Sequence, residues 1–166
     1  EAKYDSTIER IARAVRPLST APEEDLTVIL KRALFAWLIA DGDMHLKNLA
    51  LLKIAAPGAD TFESVRVAPL YDAVTTRVFP GLEHDRMALK LDGKDDRLRR
   101  ADFLRMAATA GIPARAADAA IDELTKGFAT GLDQIIVPDV PNLEAEITAK
   151  AEQMLELCRA RLAAWH

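Results

Sequence analysis

The sequence predicts a mainly α-helical chain with one small β-hairpin set among its helices. Three observations lead there. Roughly a fifth of the residues are Ala and 5% are aromatic, which makes helix the default element. Apolar residues recur at helical spacing in most stretches between the Pro and Gly breaks. Strand-like alternation is confined to two short runs on either side of one turn.

The first helix starts at Ser6-Thr7-Ile8-Glu9, which reads as a capping box, and Ile8, Ile11, Ala12 and Val15 follow at helical spacing before Pro17. A second start is Thr20-Ala21-Pro22-Glu23, with acids suited to a helix N-terminus. From Leu26 to Ala40 this helix is apolar on nearly every side, as a buried central helix is. After a polar break, Leu49 to Ile54 reads as a strand and Pro57-Gly58-Ala59-Asp60 as a turn. Phe62 to Val67 alternates sides and completes the hairpin. Pro69 favours an extended approach to Tyr71. Beyond Val78 the chain is irregular, with a short Met87–Leu91 segment and a charged run from Lys94 to Arg100. Three helices close the sequence. One spans about Ala101 to Ala110 with Gly111 as its stop, and the next starts at Pro113 and fades near Gly131. The last starts near Asn142 and carries Leu143, Ile147, Ala151, Met154, Cys158, Leu162 and Trp165 on one stripe.

Length and composition narrow the function. A chain of 166 residues suits a single domain spanning 1–166, able to bury about two-thirds of its unfolded surface. A net charge of −4 excludes a broad basic surface, so no direct nucleic-acid contact is expected. No apolar run approaches the roughly 20 residues a membrane helix needs, so no membrane association is expected. The lone Cys158 forms no internal disulfide and no cysteine-built zinc site, which fits a reducing cytoplasm. The chain starts at Glu1 rather than Met, which points to a piece of a longer protein.

One segment stands out against this background. Asp41-Gly42-Asp43-Met44-His45-Leu46-Lys47-Asn48 concentrates polar side chains beside the most hydrophobic helix, where they are expensive unless they serve a purpose. Asp43 and Asn48 stand five positions apart, and Asp72 follows the second strand. An antiparallel hairpin brings its far ends together, so Asp72 is expected near Asn48. A carboxylate, a carboxamide and a second carboxylate around one space suit phosphoryl transfer. Hard Mg²⁺ prefers oxygen ligands, and a separate carboxylate must orient a hydroxyl and accept its proton.

Three segments carry a more specific likeness: Asp43-Met44-His45-Leu46-Lys47-Asn48, Pro69-Leu70-Tyr71-Asp72 and Met87-Ala88-Leu89-Lys90-Leu91. Together they resemble the C-terminal lobe of the HipA family, bacterial serine/threonine protein kinases that act as toxins. The likeness runs from about Lys3 to the end of the chain. It implies the helical lobe of a protein-kinase-like fold, with ATP and Mg²⁺ as cofactors. Carried over by position, Asp43 is the catalytic base, and Asn48 and Asp72 hold Mg²⁺. His45 points at the γ-phosphate, Lys47 helps to neutralise phosphate charge, and Tyr71 flanks the nucleotide. The resemblance further implies a DNA-binding antitoxin as partner and a protein substrate in the translation machinery, such as an aminoacyl-tRNA synthetase. The family's N-terminal lobe, which covers ATP, has no counterpart in this sequence. The seven glycines form no phosphate loop, and no strand-borne lysine pairs with a helical glutamate. The chain by itself is therefore expected to be an inactive catalytic half-site.

Other readings of these residues compete. Asp41, Asp43 and His45 have the alternate spacing of a hydrolytic metal site, though without further histidines. The whole chain is alternatively a non-catalytic helical module that binds a partner protein. His84 and the Lys94–Arg100 run read as hydrated loop, and Phe35, Trp37 and Phe103 as core. The stripe ending at Trp165 is expected to pack on the preceding helices, with Cys158 an inert thiol within it.

Overall fold

The computed structural model describes residues 2–137 and 145–165. A 3-10 turn, Ala2–Tyr4, leads into α1, Ile8–Val15. Thr7 caps this helix, its hydroxyl accepting from the Arg10 amide at 3.2 Å. The expected Ser6–Glu9 box is not made. A parallel bridge to Lys90 holds Thr7 extended and sets the helix start one residue later. Glu9 accepts from the Asp92 amide at 2.7 Å instead.

The central helix, α2, spans Pro22–Leu38, with Pro in its first turn followed by Glu23, Glu24 and Asp25. Leu26, Ile29, Leu30, Ala33, Leu34 and Leu38 are each at most 1% exposed, so this helix is the axis of the core. The chain leaves it at Ala40, whose φ of +57° cannot continue a right-handed helix. A 3-10 turn over Leu46–Asn48 follows, and then β1, Leu51–Ile54, and β2, Ser64–Val67. The strands pair antiparallel, Leu51 opposite Val67 and Ile54 opposite Ser64. Both begin two residues later than the alternation suggests. The Leu49 amide bonds back to the Leu46 carbonyl at 3.4 Å and so stays with the preceding turn.

After a further turn at Thr76–Val78, irregular chain buries Met87, Leu89 and Leu91 and leads to α3, Arg100–Thr109. Gly111 stops α3 at φ +74°, as a C′ glycine does. Next come α4, Ala114–Gln134, and α5, Ala145–Ala163. α4 lies across α2 and α3, and α5 packs on α4 and α2. The expected start of α5 near Asn142, with Leu143, lies outside the described residues. Only the C-terminal half of α5 is deeply buried, through Leu155 and Cys158, with Trp165 just beyond. Ile147 stays 49% exposed, contrary to the predicted stripe, because the first turns of α5 extend past the core. Trp165 meets Trp37 and Phe103 at ring distances of 5.6 and 5.3 Å.

Two assignments change. Phe35 borders an apolar cavity of about 670 Å³ between α2, α4 and α5, edge-on to Phe128 at 5.9 Å, rather than filling the core. The Lys94–Arg100 run is not merely hydrated loop. Leu98 is 3% exposed, and Lys94 donates to the buried Asp102 carboxylate at 2.7 Å. Arg105 also binds Asp102, and the Arg99 amide donates to it at 2.7 Å. Cys158 lines the cavity at 2% exposure, and burial pushes its thiol above the usual range, which disfavours the reactive thiolate. Among the described residues no helix is long and apolar enough to cross a membrane.

Asp102 makes the stability pH-dependent. Burial by itself raises its carboxyl, but Lys94, the Arg99 amide and Arg105 outweigh that and hold it below the ordinary range. A depressed folded-state pKa stabilises fully above the unfolded value of about 4, and the contribution is lost as pH falls through the folded value. The wild-type Tm is therefore expected to fall more steeply below about pH 4 than that of Asp102→Asn. Parallel acid-side slopes in thermal melts would remove Asp102 as the cause.

Candidate functional site

The loop leaving α2 begins at Asp41, which is 3% exposed. Its Oδ1 accepts from the Asp43 amide at 2.9 Å, an Asx turn across Gly42. Burial raises the Asp41 carboxyl above its usual range, opposed by hydrogen bonds from the Asp43, Val74 and Met44 amides. Thr76 closes the other side. Its hydroxyl accepts from the Gly42 amide at 3.0 Å and donates to the Ala40 carbonyl at 3.1 Å. A Cβ on Gly42 would stand 2.0 Å from Asp85 Oδ2 and 2.8 Å from the Thr76 hydroxyl, so a larger residue there would displace both side chains.

Asp43 itself faces outward, its side chain 52% exposed. The Tyr4 hydroxyl donates to its Oδ1 at 3.3 Å, and His45 Nε2 lies 3.8 Å away. A groove of about 650 Å³ opens beside it, walled by Tyr4, Val74, Phe79 and Leu82. His45 is 7% exposed, its ring edge-on to Tyr4 at 5.6 Å, and its buried Nδ1 has no hydrogen-bond partner among the described residues. Lys47 is exposed.

Asn48 is 5% exposed and locks the loop internally, its Oδ1 accepting from the His45 amide at 2.8 Å. Its Nδ2 donates to Asp72 Oδ2 at 2.5 Å, so the hairpin does return Asp72 to Asn48. Asp72 takes φ +55°, a left-handed conformation uncommon outside glycine that Asp tolerates better than most residues. The Tyr71 hydroxyl ties the hairpin exit to the loop by donating to the Lys47 carbonyl at 2.7 Å. Asn48, Tyr71 and Asp72 border one narrow crevice, whereas Asp43 opens on the neighbouring groove.

The donor set can be tested against Mg²⁺. Asp72 offers a carboxylate toward a hard cation, while Asn48 turns its Nδ2 to Asp72 and its Oδ1 to the His45 amide. The residue types suit Mg²⁺, with Asn48 joining as an oxygen ligand through the second lone pair of Oδ1 or after its amide turns, and other positions left to phosphate and water. The hydrolytic alternative at Asp41, Asp43 and His45 is not formed. No group of three or more His, Cys, Asp or Glu side chains among the described residues is arranged to hold a metal. Asp41 turns to backbone amides while Asp43 turns to solvent.

Sequence reasoning missed Asp25, Arg32 and Thr76, and with them the turn-closing role of Asp41. Asp25 is 1% exposed and accepts from the Ser19 hydroxyl at 2.6 Å, Arg66 Nε at 3.1 Å and the Val67 amide at 3.1 Å. Only Asp41 left a legible signal, the Asp-Gly-Asp turn sequence.

The family model for HipA-like C-terminal domains matches residues 1–132. A solved chain in the Shewanella oneidensis MR-1 toxin–antitoxin complex of HipA, HipB and its operator DNA is similar, with a TM-score of 0.77 and 15% identity. The match covers 96% of this chain and 35% of that one, so this chain spans about a third of that relative's length. At that identity the likeness concerns the fold. No curated protein matches the sequence.

Proposed function

The chain belongs to the family of HipA-like C-terminal domains, and from that membership we propose that it is the helical lobe of an ATP-dependent serine/threonine protein kinase. The reaction is transfer of the ATP γ-phosphate to a protein hydroxyl, by the toxin of a toxin–antitoxin pair. The observation that carries this reading is the Asn48–Asp72 bond, formed across the hairpin beside the loop that presents Asp43.

The chain's own residues have separable tasks. Asp43 accepts the proton of the attacking hydroxyl, delivered along the adjoining groove. Asp41 and Thr76 keep the Asp43 loop from drifting, which matters because positioning dominates this chemistry. Asn48 and Asp72 would hold Mg²⁺, which when bound offsets charge on the phosphates. His45 addresses the γ-phosphate, Lys47 neutralises phosphate charge from the surface, and Tyr71 flanks the nucleotide. The ATP-covering lobe comes from the remainder of a longer protein, so the chain in isolation does not turn over. A DNA-binding antitoxin is the proposed partner, by analogy with the HipB and operator DNA in the solved relative's complex.

Mn²⁺ titrated into isotope-labelled chain, with and without ATP, tests this reading. Shared paramagnetic broadening at Asn48, Asp72 and the Asp43 loop, strengthened by ATP, is the expected result. Scattered broadening at surface carboxylates, indifferent to ATP, would overturn it in favour of a partner-binding module.

A further inference from the structure

Arg32 lies in the middle of α2 and is 7% exposed, an unfavourable place for a guanidinium. Its Nη2 donates to the carbonyl of Ala68, one residue past β2. Its Nη1 is buried with no hydrogen-bond partner among the described residues. Burial pulls its pKa below the ordinary value, and the Asp25 carboxylate opposes this by favouring the ionised form. An apolar side chain of similar volume would avoid that desolvation and the orphaned donor, so packing does not explain an arginine here.

Its position does. Arg32 borders the same crevice as Asn48 and Asp72. Asp25, on the same helix, accepts from the Val67 amide at 3.1 Å, so α2 grips two successive residues at the exit of β2. Four residues after Ala68 the chain reaches Asp72, whose φ of +55° must be held by its surroundings. The end of α2 also leads directly into the loop bearing Asp43 and Asn48. A single rigid helix thus references both halves of the candidate site. Its end sets the loop, and its Arg32 and Asp25 side chains set the hairpin exit.

We propose that Arg32 is a positioning residue for the Asn48–Asp72 pair, acting through the Ala68 carbonyl to keep the Asp72 carboxylate where it can bind a divalent cation with Asn48. This inference rests on the reading of Asn48 and Asp72 as the metal-holding pair. Outer-shell groups that orient ligands typically change metal affinity by about 10- to 100-fold when removed. Arg32→Met keeps the length and drops every donor. It is expected to weaken Mn²⁺ binding to the folded chain by about tenfold or more, while Arg32→Lys, which keeps a donor and the charge, recovers most of it.

The experiment measures Mn²⁺ affinity by electron paramagnetic resonance for wild-type chain, Arg32→Met, Arg32→Lys and Asp72→Asn, at a temperature where each is folded. Asp72→Asn with unchanged affinity sinks the metal-site reading, and this inference with it. Asp72→Asn weakened but Arg32→Met equal to wild type sinks this inference alone. A second measurement needs no variant. If clamp and metal are coupled, linkage requires Mg²⁺ to stabilise the clamp in return. Hydrogen exchange at the Val67 amide should slow on adding Mg²⁺ to wild-type chain. Unchanged exchange overturns the proposal even if Arg32→Met fails to fold.

Discussion

Asp43→Asn in the complete protein is expected to lower kcat for phosphate transfer by about 10²- to 10⁴-fold, the range for loss of a positioned general base. The substitution is nearly isosteric. Its side-chain oxygen can still accept from the Tyr4 hydroxyl, which lies 3.3 Å away in the wild type, and its backbone amide can still bind Asp41. What disappears is the proposed proton acceptor. KM for ATP should stay near the wild-type value, because Asp43 opens on the groove beside Phe79 and Leu82 and not on the Asn48–Asp72 crevice. A fall in kcat with KM unchanged marks an interaction made in the transition state. Wild-type turnover by the variant would refute Asp43 as the base, whatever the family resemblance suggests.

Asp25→Ala is expected to lower unfolding stability by about 3–5 kcal/mol, the range for removing one partner from a buried charge network. The carboxylate is 1% exposed and takes hydrogen bonds from Ser19, Arg66 and the Val67 amide. Its removal strands the Val67 donor and takes a countercharge from the buried Arg32. The neighbouring Arg66–Glu24 pair contributes little by comparison, because Glu24 is 72% exposed and water screens it. Urea unfolding of Asp25→Ala and Asp25→Asn checks the prediction, with Asn losing less because it still accepts hydrogen bonds. A loss below about 1 kcal/mol for the alanine variant would mean that the network is no stronger than an exposed ion pair.

Local signals account for most of the helical architecture. Pro22 in the first turn of α2 and Gly111 after α3 act over a few residues, and both hold in the structure. Where the local reading slipped, a distant partner was responsible. Lys90 pairs with Thr7 and displaces the cap from Ser6. Leu98 enters the core and draws the Lys94–Arg100 run onto Asp102, which a reading of charge alternation takes for solvated loop.

The candidate site divides along the same line. By itself the sequence determined which chemistry-bearing residues exist and how they are ordered: Asp43, Asn48 five positions later, and Asp72 beyond a hairpin. Strand pairing then obliges Asp72 to come back toward Asn48, because the register of two antiparallel strands follows from their alternation and the turn between them. Only the tertiary structure decided what holds those side chains in place. Asp25 and Arg32 look like ordinary charged positions on a helix until β2 is laid against that helix, and Thr76 looks like a loop residue until it meets Gly42. Their roles arise from burial, which turns a side chain indifferent in water into one that must find a partner, and burial depends on the packing of segments far apart in the chain.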